Sequence, residues 1–369
     1  MTPTGPQLRL GCVCAPKSKF GARSALLVGW AADRALGDPR RGHPVAGFGR
    51  VAGWLERVVW RDSRIAGAVY TGVLVGGPAA AAWALRRRLR PRGRAALLAL
   101  VTWAALGSRS LGREAAGVAR AVARGDLGEA RRRLPALCGR DPSGLDASQL
   151  CRAAVESVAE NTADAVVGPL LWGAVAGPAG VVAHRCANTL DAMVGHRSAR
   201  YERFGWAAAR LDDAANWLPA RITALLAAAC APLVGGSARA ALRVLLRDGA
   251  NHPSPNAGRC EAAFAGALGV RLGGVNRYGT RVEVRGPLGE GPPPTPADVH
   301  RAIRLSVAVA TALQLSSVFG GKLPVKGALS GLRRSFPSYS EESCIFGSSA
   351  PTGGPVRFCN SLHTEESCT

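Results

Sequence analysis

Ile65-Ala66-Gly67-Ala68-Val69-Tyr70-Thr71-Gly72-Val73-Leu74-Val75-Gly76-Gly77-Pro78-Ala79-Ala80-Ala81-Ala82-Trp83-Ala84-Leu85 runs 21 residues without a charge. Arg86-Arg87-Arg88-Leu89-Arg90-Pro91-Arg92-Gly93-Arg94 follows at once. A helix of that length rises about 30 Å, the thickness of a bilayer's hydrocarbon core. An apolar run closed by arginines is the pattern of a membrane helix with a cytoplasmic flank. Gly76-Gly77-Pro78 does not oppose this, because membrane helices tolerate Gly and Pro.

Three further uncharged runs approach spanning length: Ala165 to Ala183 with 19 residues, Ile222 to Ala238 with 17, and Leu305 to Gly321 with 17. Ala95 to Ser108, with 14 residues, and Ser24 to Ala32, with 9, are shorter. Each of these two is interfacial, re-entrant, or a helix completed by snorkelling arginines. The expected fold class is all-α, a polytopic membrane helical bundle with polar helical loops. Buried helices of a soluble Ala-rich protein are the competing reading. Asp146 to Asp164 has the pattern of a capped helix, and Thr295-Pro296-Ala297-Asp298 that of a helix start. Three regions follow: an N-terminal extension over 1–23, a membrane-embedded body over 24–321, and an atypical tail over 322–369, both ends expected to be unstructured.

Composition agrees with helices packed through small residues in a bilayer: 47% hydrophobic, 20% charged, with 46 glycines in 369 residues. The net charge of +22 first points to nucleic acid, but the basic residues are 43 Arg against 4 Lys and are mostly scattered. No nucleic-acid-binding motif accompanies them, so no nucleic-acid partner is expected. All four lysines lie outside residues 24–321, which excludes a phosphate-loop or Schiff-base lysine in the body. Cys138, Cys151, Cys186, Cys230 and Cys260 are dispersed, without a disulfide or zinc framework, and read as reduced thiols.

Polar residues gather in a few places. In Glu156-Ser157-Val158-Ala159-Glu160-Asn161-Thr162-Ala163-Asp164, the acids fall at i, i+4 and i+8, on one helical face. Their repulsion calls either for a cation such as magnesium or for pairing with Arg152 and its neighbours. Asn188-Thr189-Leu190-Asp191 precedes Arg210-Leu211-Asp212-Asp213-Ala214-Ala215-Asn216-Trp217, where Asp212, Asp213 and Asn216 share one helical turn at the mouth of a span. Acids there mark a site, or pair with Arg210 and Arg221. Gly37-Asp38-Pro39 with His43-Pro44, and His252-Pro253-Ser254-Pro255-Asn256, are loops that combine fixed backbone with polar side chains.

Taken together and in order, these motifs, with Tyr201, Phe204-Gly205-Trp206, Pro219-Ala220-Arg221 and Glu261-Ala262-Ala263, closely resemble the cobalamin biosynthesis family of adenosylcobinamide-phosphate synthases over roughly residues 24–315. The resemblance implies a multi-pass protein of the cell membrane with its active site facing the cytoplasm. It implies ATP-dependent ligation of (R)-1-amino-2-propanol phosphate, or the free alcohol, to the propionate of the corrinoid substrate adenosylcobyric acid. Its expected partners are these substrates, the lipid bilayer and other corrinoid-pathway enzymes. A non-catalytic membrane sensor or scaffold sharing the family body is the alternative. Such a ligase needs an activated carboxylate, hence ATP with Mg2+. Glu156, Glu160 and Asp164, or Asp212 and Asp213, are the expected metal ligands. Arg210 or Arg221 is expected to contact phosphate, with Asn216 and Asn256 beside them. His43 or His252 is the expected base, and Asp38 and Asp191 complete the catalytic candidates.

Overall fold

A computed structural model of the protein describes residues 19–38, 42–196, 198–278 and 281–318. Its helices are α1 (Lys19–Leu36), α2 (Pro44–Val59), α3 (Arg64–Arg88), α4 (Pro91–Ala105), α5 (Ser108–Ala123), α6 (Leu127–Arg133), α7 (Ala147–Thr162), α8 (Gly168–Ala176), α9 (Pro178–Leu190), α10 (Trp206–Cys230), α11 (Ala238–Asp248), α12 (Ala257–Leu268) and α13 (Pro296–Val318). An antiparallel hairpin, β1 (Leu272–Tyr278) and β2 (Arg281–Leu288), lies between α12 and α13. The class is all-α. Helix α1 begins at Lys19, inside the extension expected over 1–23, and residues 319–369 lie outside the described set.

Local chemistry explains the boundaries. Asp146 and Gln149 form a reciprocal capping box that starts α7. Ser63 caps α3, and Thr295 holds the Asp298 carboxylate at 2.7 Å where α13 begins. The main core joins α5, α7, α10, α12 and α13 and is built largely from alanine, including Ala119, Ala154, Ala224, Ala227 and Ala263. Small side chains let helix backbones approach closely. Gly67 of α3 is the extreme case: a Cβ there would overlap the Phe204 carbonyl.

Three stretches are long and apolar enough to cross a membrane: Arg64–Arg88, Pro91–Ala123 and Trp206–Val234. The second is not one straight helix, because Leu106 and Gly107 interrupt it between α4 and α5. Two of the runs expected to span do something else. Ala165 to Ala183 is broken at Gly177, whose φ of 67° ends α8 and opens α9. Helix α13, which holds the described part of the Leu305 to Gly321 run, is packed inside the bundle, with Leu305, Val309 and Ala310 buried, and residues 319–321 of that run lie outside the described set.

The arrangement around α3 sets the acids on α9 and α10 apart from the arginine block. A Cβ built on Gly177 would stand 3.7 Å from the Arg86 guanidinium, so α9 starts beside the end of α3 and runs back along it. Arg64 sits 5.6 Å over the Trp206 ring, so α10 starts beside the beginning of α3. Asn188, eleven residues past Gly177, is therefore roughly 16 Å along the helix axis from the arginine block. The acidic residues on α9 and α10 do not share the end marked by Arg86 to Arg94.

Candidate active site

Helix α7 is the spine of the polar interior, and its acids serve different neighbourhoods. Glu156 is 1% exposed; one carboxylate oxygen accepts from Arg140 and the other from the Gly273 N–H at 2.7 Å. Arg152 approaches the same carboxylate at 4.0 Å. Glu156 is thus an internal counter-ion, and its expected role as a metal ligand is not supported by its contacts. Glu160, one turn on, stands within electrostatic reach of both Arg140 and Arg285, and burial raises its pKa above the usual range.

Beyond Thr162 the helix widens into a π turn over Ala163–Val167, and α9 ends in a second π turn over Asp191–Gly195. Each carries one acid, Asp164 and Asp191, and such bulges re-aim side chains that a regular helix would place elsewhere. Asn188 is the hub between them. Its amide nitrogen lies 3.2 Å from an Asp164 oxygen and 3.4 Å from an Asp212 oxygen, while its own oxygen accepts from Arg185 at 3.1 Å. Asn216 donates to Asp212 at 3.0 Å and contacts the buried His184 at 2.8 Å. Asp191, Asp213 and Glu160 are close enough to repel this pair of carboxylates. Gly195 leaves room for the Asp191 carboxylate, which a Cβ there would displace.

The loop before α12 closes the third side. Asn256 donates to the Asp213 carbonyl at 2.8 Å and accepts from Arg221 at 3.3 Å, which ties the loop to α10. Arg221 also stacks 4.0 Å over Trp217. The His252 Nδ1 accepts from the Ser254 N–H at 3.0 Å, and its Nε2 stands 3.8 Å from Glu261. Burial and then Arg285 push the His252 pKa down to about 4, so the ring is neutral near pH 7. Burial, reinforced by Glu156 and Glu160, pushes Glu261 well above the carboxylate range. Neither Glu261 oxygen nor His252 Nε2 has a hydrogen-bond partner.

Of the remaining candidates, Asp38 and His43 meet at 3.7 Å, and the His43 Nδ1 caps α2 by accepting from the Val45 N–H. Asp38 reaches Arg185 electrostatically, which places this loop beside the Asn188 hub. Arg210 is exposed and sits near Asp213. The expected metal trio does not converge: among the described residues, no three Asp, Glu, His or Cys side chains gather closely enough to enclose an ion. All five expected reduced thiols are free.

The family model described as CobD/Cbib protein matches residues 26–306. The chain belongs to this family. It is 55% identical over 281 residues to the cobalamin biosynthesis protein CobD of Mycobacterium tuberculosis, covering 76% of this chain and 90% of the relative. The protein of the same name from Geobacter metallireducens is 45% identical over 276 residues, 73% of this chain and 87% of that one. The one from Rhodobacter capsulatus is 42% identical over 298 residues, 78% and 92% of the respective chains. No solved structure matches.

Within this CobD/Cbib body, Asn188 opens a polar stretch visible in the sequence, but His184 and Arg185, at i and i+1 on the same helix α9 with Asn188 at i+4, fall between the apolar run ending at Ala183 and that stretch and were given no role. Arg140, Glu261 and Arg285 were also unassigned. They are far apart in the sequence, and only the fold brings them together.

Proposed function

We propose that the chain joins the amine of aminopropanol, or of its phosphate, to the propionate carboxylate of adenosylcobyric acid at the expense of ATP. Membership of a cobalamin biosynthesis family supports the pathway, and the Asp164–Asn188–Asp212 network carries the assignment of chemistry. Two carboxylates held by one amide, with further acids around them and Arg185 as the close cation, form an anionic pocket that a divalent ion would balance. Magnesium fits, because it takes one or two carboxylates and completes its shell with water and substrate phosphates. Asp164 and Asp212 would hold it, and its chemistry when bound is to neutralise charge on the transferring phosphoryl group.

The propionate oxygen takes the terminal phosphoryl group of ATP, releasing ADP. The amine then attacks the acyl carbon, phosphate leaves, and the amine's proton passes to a base. Of the two histidines considered as the base, His43 stands against Asp38 on the side of the Asn188 hub and suits that last step, whereas burial leaves His252 too weakly basic. The orientation toward the cytoplasm belongs to this proposal, because both nucleotide and corrinoid are made there.

Purified protein in nanodiscs, given adenosylcobyric acid, aminopropanol phosphate and ATP with magnesium, should yield the amide by mass spectrometry. Asp212→Asn, at normal protein level, should lower the rate by about 100-fold or more, the scale of lost electrostatic stabilisation. A ligation mutant that carries this gene and still grows on cobinamide but not on cobyric acid would sink the proposal.

A further inference from the structure

A second polar feature stands apart from the acid network. The first turn of α7 and the β1–β2 hairpin enclose an open cleft of about 350 Å³, lined by Ser148, Gln149, Arg152, Arg271 and Arg285 together with Gly273 and Gly274. Every charged residue lining it is an arginine. The nearby acids stand behind two of these arginines: Glu283 accepts from Arg285 at 2.8 Å with Glu261 3.7 Å from the same guanidinium, and Glu156, held by Arg140 and the Gly273 N–H, lies 4.0 Å from Arg152, which leaves Arg271 as the lining arginine without an acidic partner among the described residues.

Arg152 is held in place by carbonyl groups, those of Gly273 and Val275, and by the Asn276 side chain at 3.1 Å. Its buried Nε has no hydrogen-bond partner among the described residues and stands 4.0 Å from Glu156. The glycine pair makes this possible, with φ of 82° and 91°, and a Cβ on Gly274 would overlap the Arg152 guanidinium. Arg271 is exposed and forms no ion pair among the described residues. Three guanidinium groups facing one small cleft, with a hydroxyl and an amide beside them, match a tetrahedral oxyanion.

We propose that this cleft binds the phosphate group of a substrate. In the ligase reading, on which the proposal rests, two substrates carry that group: the nucleotide and aminopropanol phosphate. None of the residues expected from the sequence to contact phosphate, Arg210 and Arg221 included, lines the cleft.

The test measures equilibrium binding by calorimetry on the full chain in nanodiscs, with four probes: ATP, (R)-1-amino-2-propanol phosphate, unphosphorylated aminopropanol and cobyric acid. Arg271→Gln is the informative variant because its side chain is exposed and supports no packing. Arg124→Gln, on the exposed turn after α5, matches it in charge. Arg271→Gln should weaken ATP or aminopropanol phosphate about tenfold, the effect of one lost charged hydrogen bond, and leave the other probes unchanged. Which of the two weakens identifies the source of the phosphate.

Unchanged binding of both phosphate probes overturns the site. So does equal weakening by Arg124→Gln, which would make the effect bulk charge, or weakening of cobyric acid alone, which would make the cleft a carboxylate site. Phosphate binding that depends on Arg271 in a protein that makes no amide leaves the site standing and removes the ligase. Ligation by wild type with no effect of Arg271→Gln on binding does the reverse.

Discussion

Glu156 has almost no exposed surface, and its two oxygens are divided between Arg140, itself 6% exposed, and a backbone N–H of the hairpin. A buried pair of this kind is sensitive to loss of one partner, because the other charge is left uncompensated. Glu156→Gln should therefore destabilise the protein by about 3–5 kcal/mol in chemical denaturation, whereas the double change Glu156→Leu with Arg140→Met should recover most of that loss. A metal ligand would behave differently, losing magnesium affinity with little change in stability. His252 offers a pH test. Its folded pKa, about 4, lies below its ordinary 6.5, and it faces Glu261, Arg285, Glu156 and Glu283. A depressed folded value means that the stabilisation is complete above pH 6.5 and falls as the unfolded ring takes up a proton between 6.5 and 4. Melting temperature measured from pH 7.5 down to 5, within the range where the protein stays soluble, should fall less steeply in His252→Gln than in wild type. Equal slopes would mean that the ring is not held neutral.

Helix α7 shows what a sequence pattern can carry at the scale of an element. Its cap at Asp146 and the i, i+4, i+8 row of acids were legible, because both follow from spacing on a regular helix. The π turn that re-aims Asp164 was not, since it depends on packing against α8 and α10 rather than on local preference. The hairpin was missed for a related reason: its alternating Val275, Arg277, Val282 and Val284 are short and follow an Ala-rich helical stretch. Helix contacts through glycine were foreseeable only as composition. At Gly67 that composition becomes a specific contact, where α3 meets the turn preceding α10. Gly67→Val would press two methyl groups into the Phe204 carbonyl, and overpacking of this kind costs about 1–3 kcal/mol or more. Thermal unfolding of that variant should be clearly lowered, while Gly72→Val, which meets open space on the same helix, should unfold like wild type.

At the scale of the whole molecule, uncharged length separated helices from loops but could not separate lipid from protein interior. Leu305 and Val309 of α13 are fully buried, whereas Ile65, Val69 and Val73 of α3 are 78%, 60% and 58% exposed at four-residue intervals. Both helices read alike in the sequence, and only the second presents an apolar stripe outward. Such a stripe on a 25-residue helix has one suitable environment, the hydrocarbon of a bilayer. The two ends of α3 must then open to opposite sides of the membrane. Asp62 precedes the helix and Arg92 follows it, so cysteines introduced at these two positions should react with a membrane-impermeant maleimide from opposite faces, one in right-side-out vesicles and the other only in inverted vesicles. Reaction of both from one face would mean that α3 lies along the bilayer. If the faces differ, the label at position 62 also identifies the side nearer the Asn188 hub, because the acids stand toward that end of α3 and away from Arg86. An orientation with position 62 outside and 92 inside would then require nucleotide to reach the acids from within the bundle, past the arginine block. The reverse orientation would open the Asp38–His43 side of the site directly to the cytoplasm, as the proposed ligation would require.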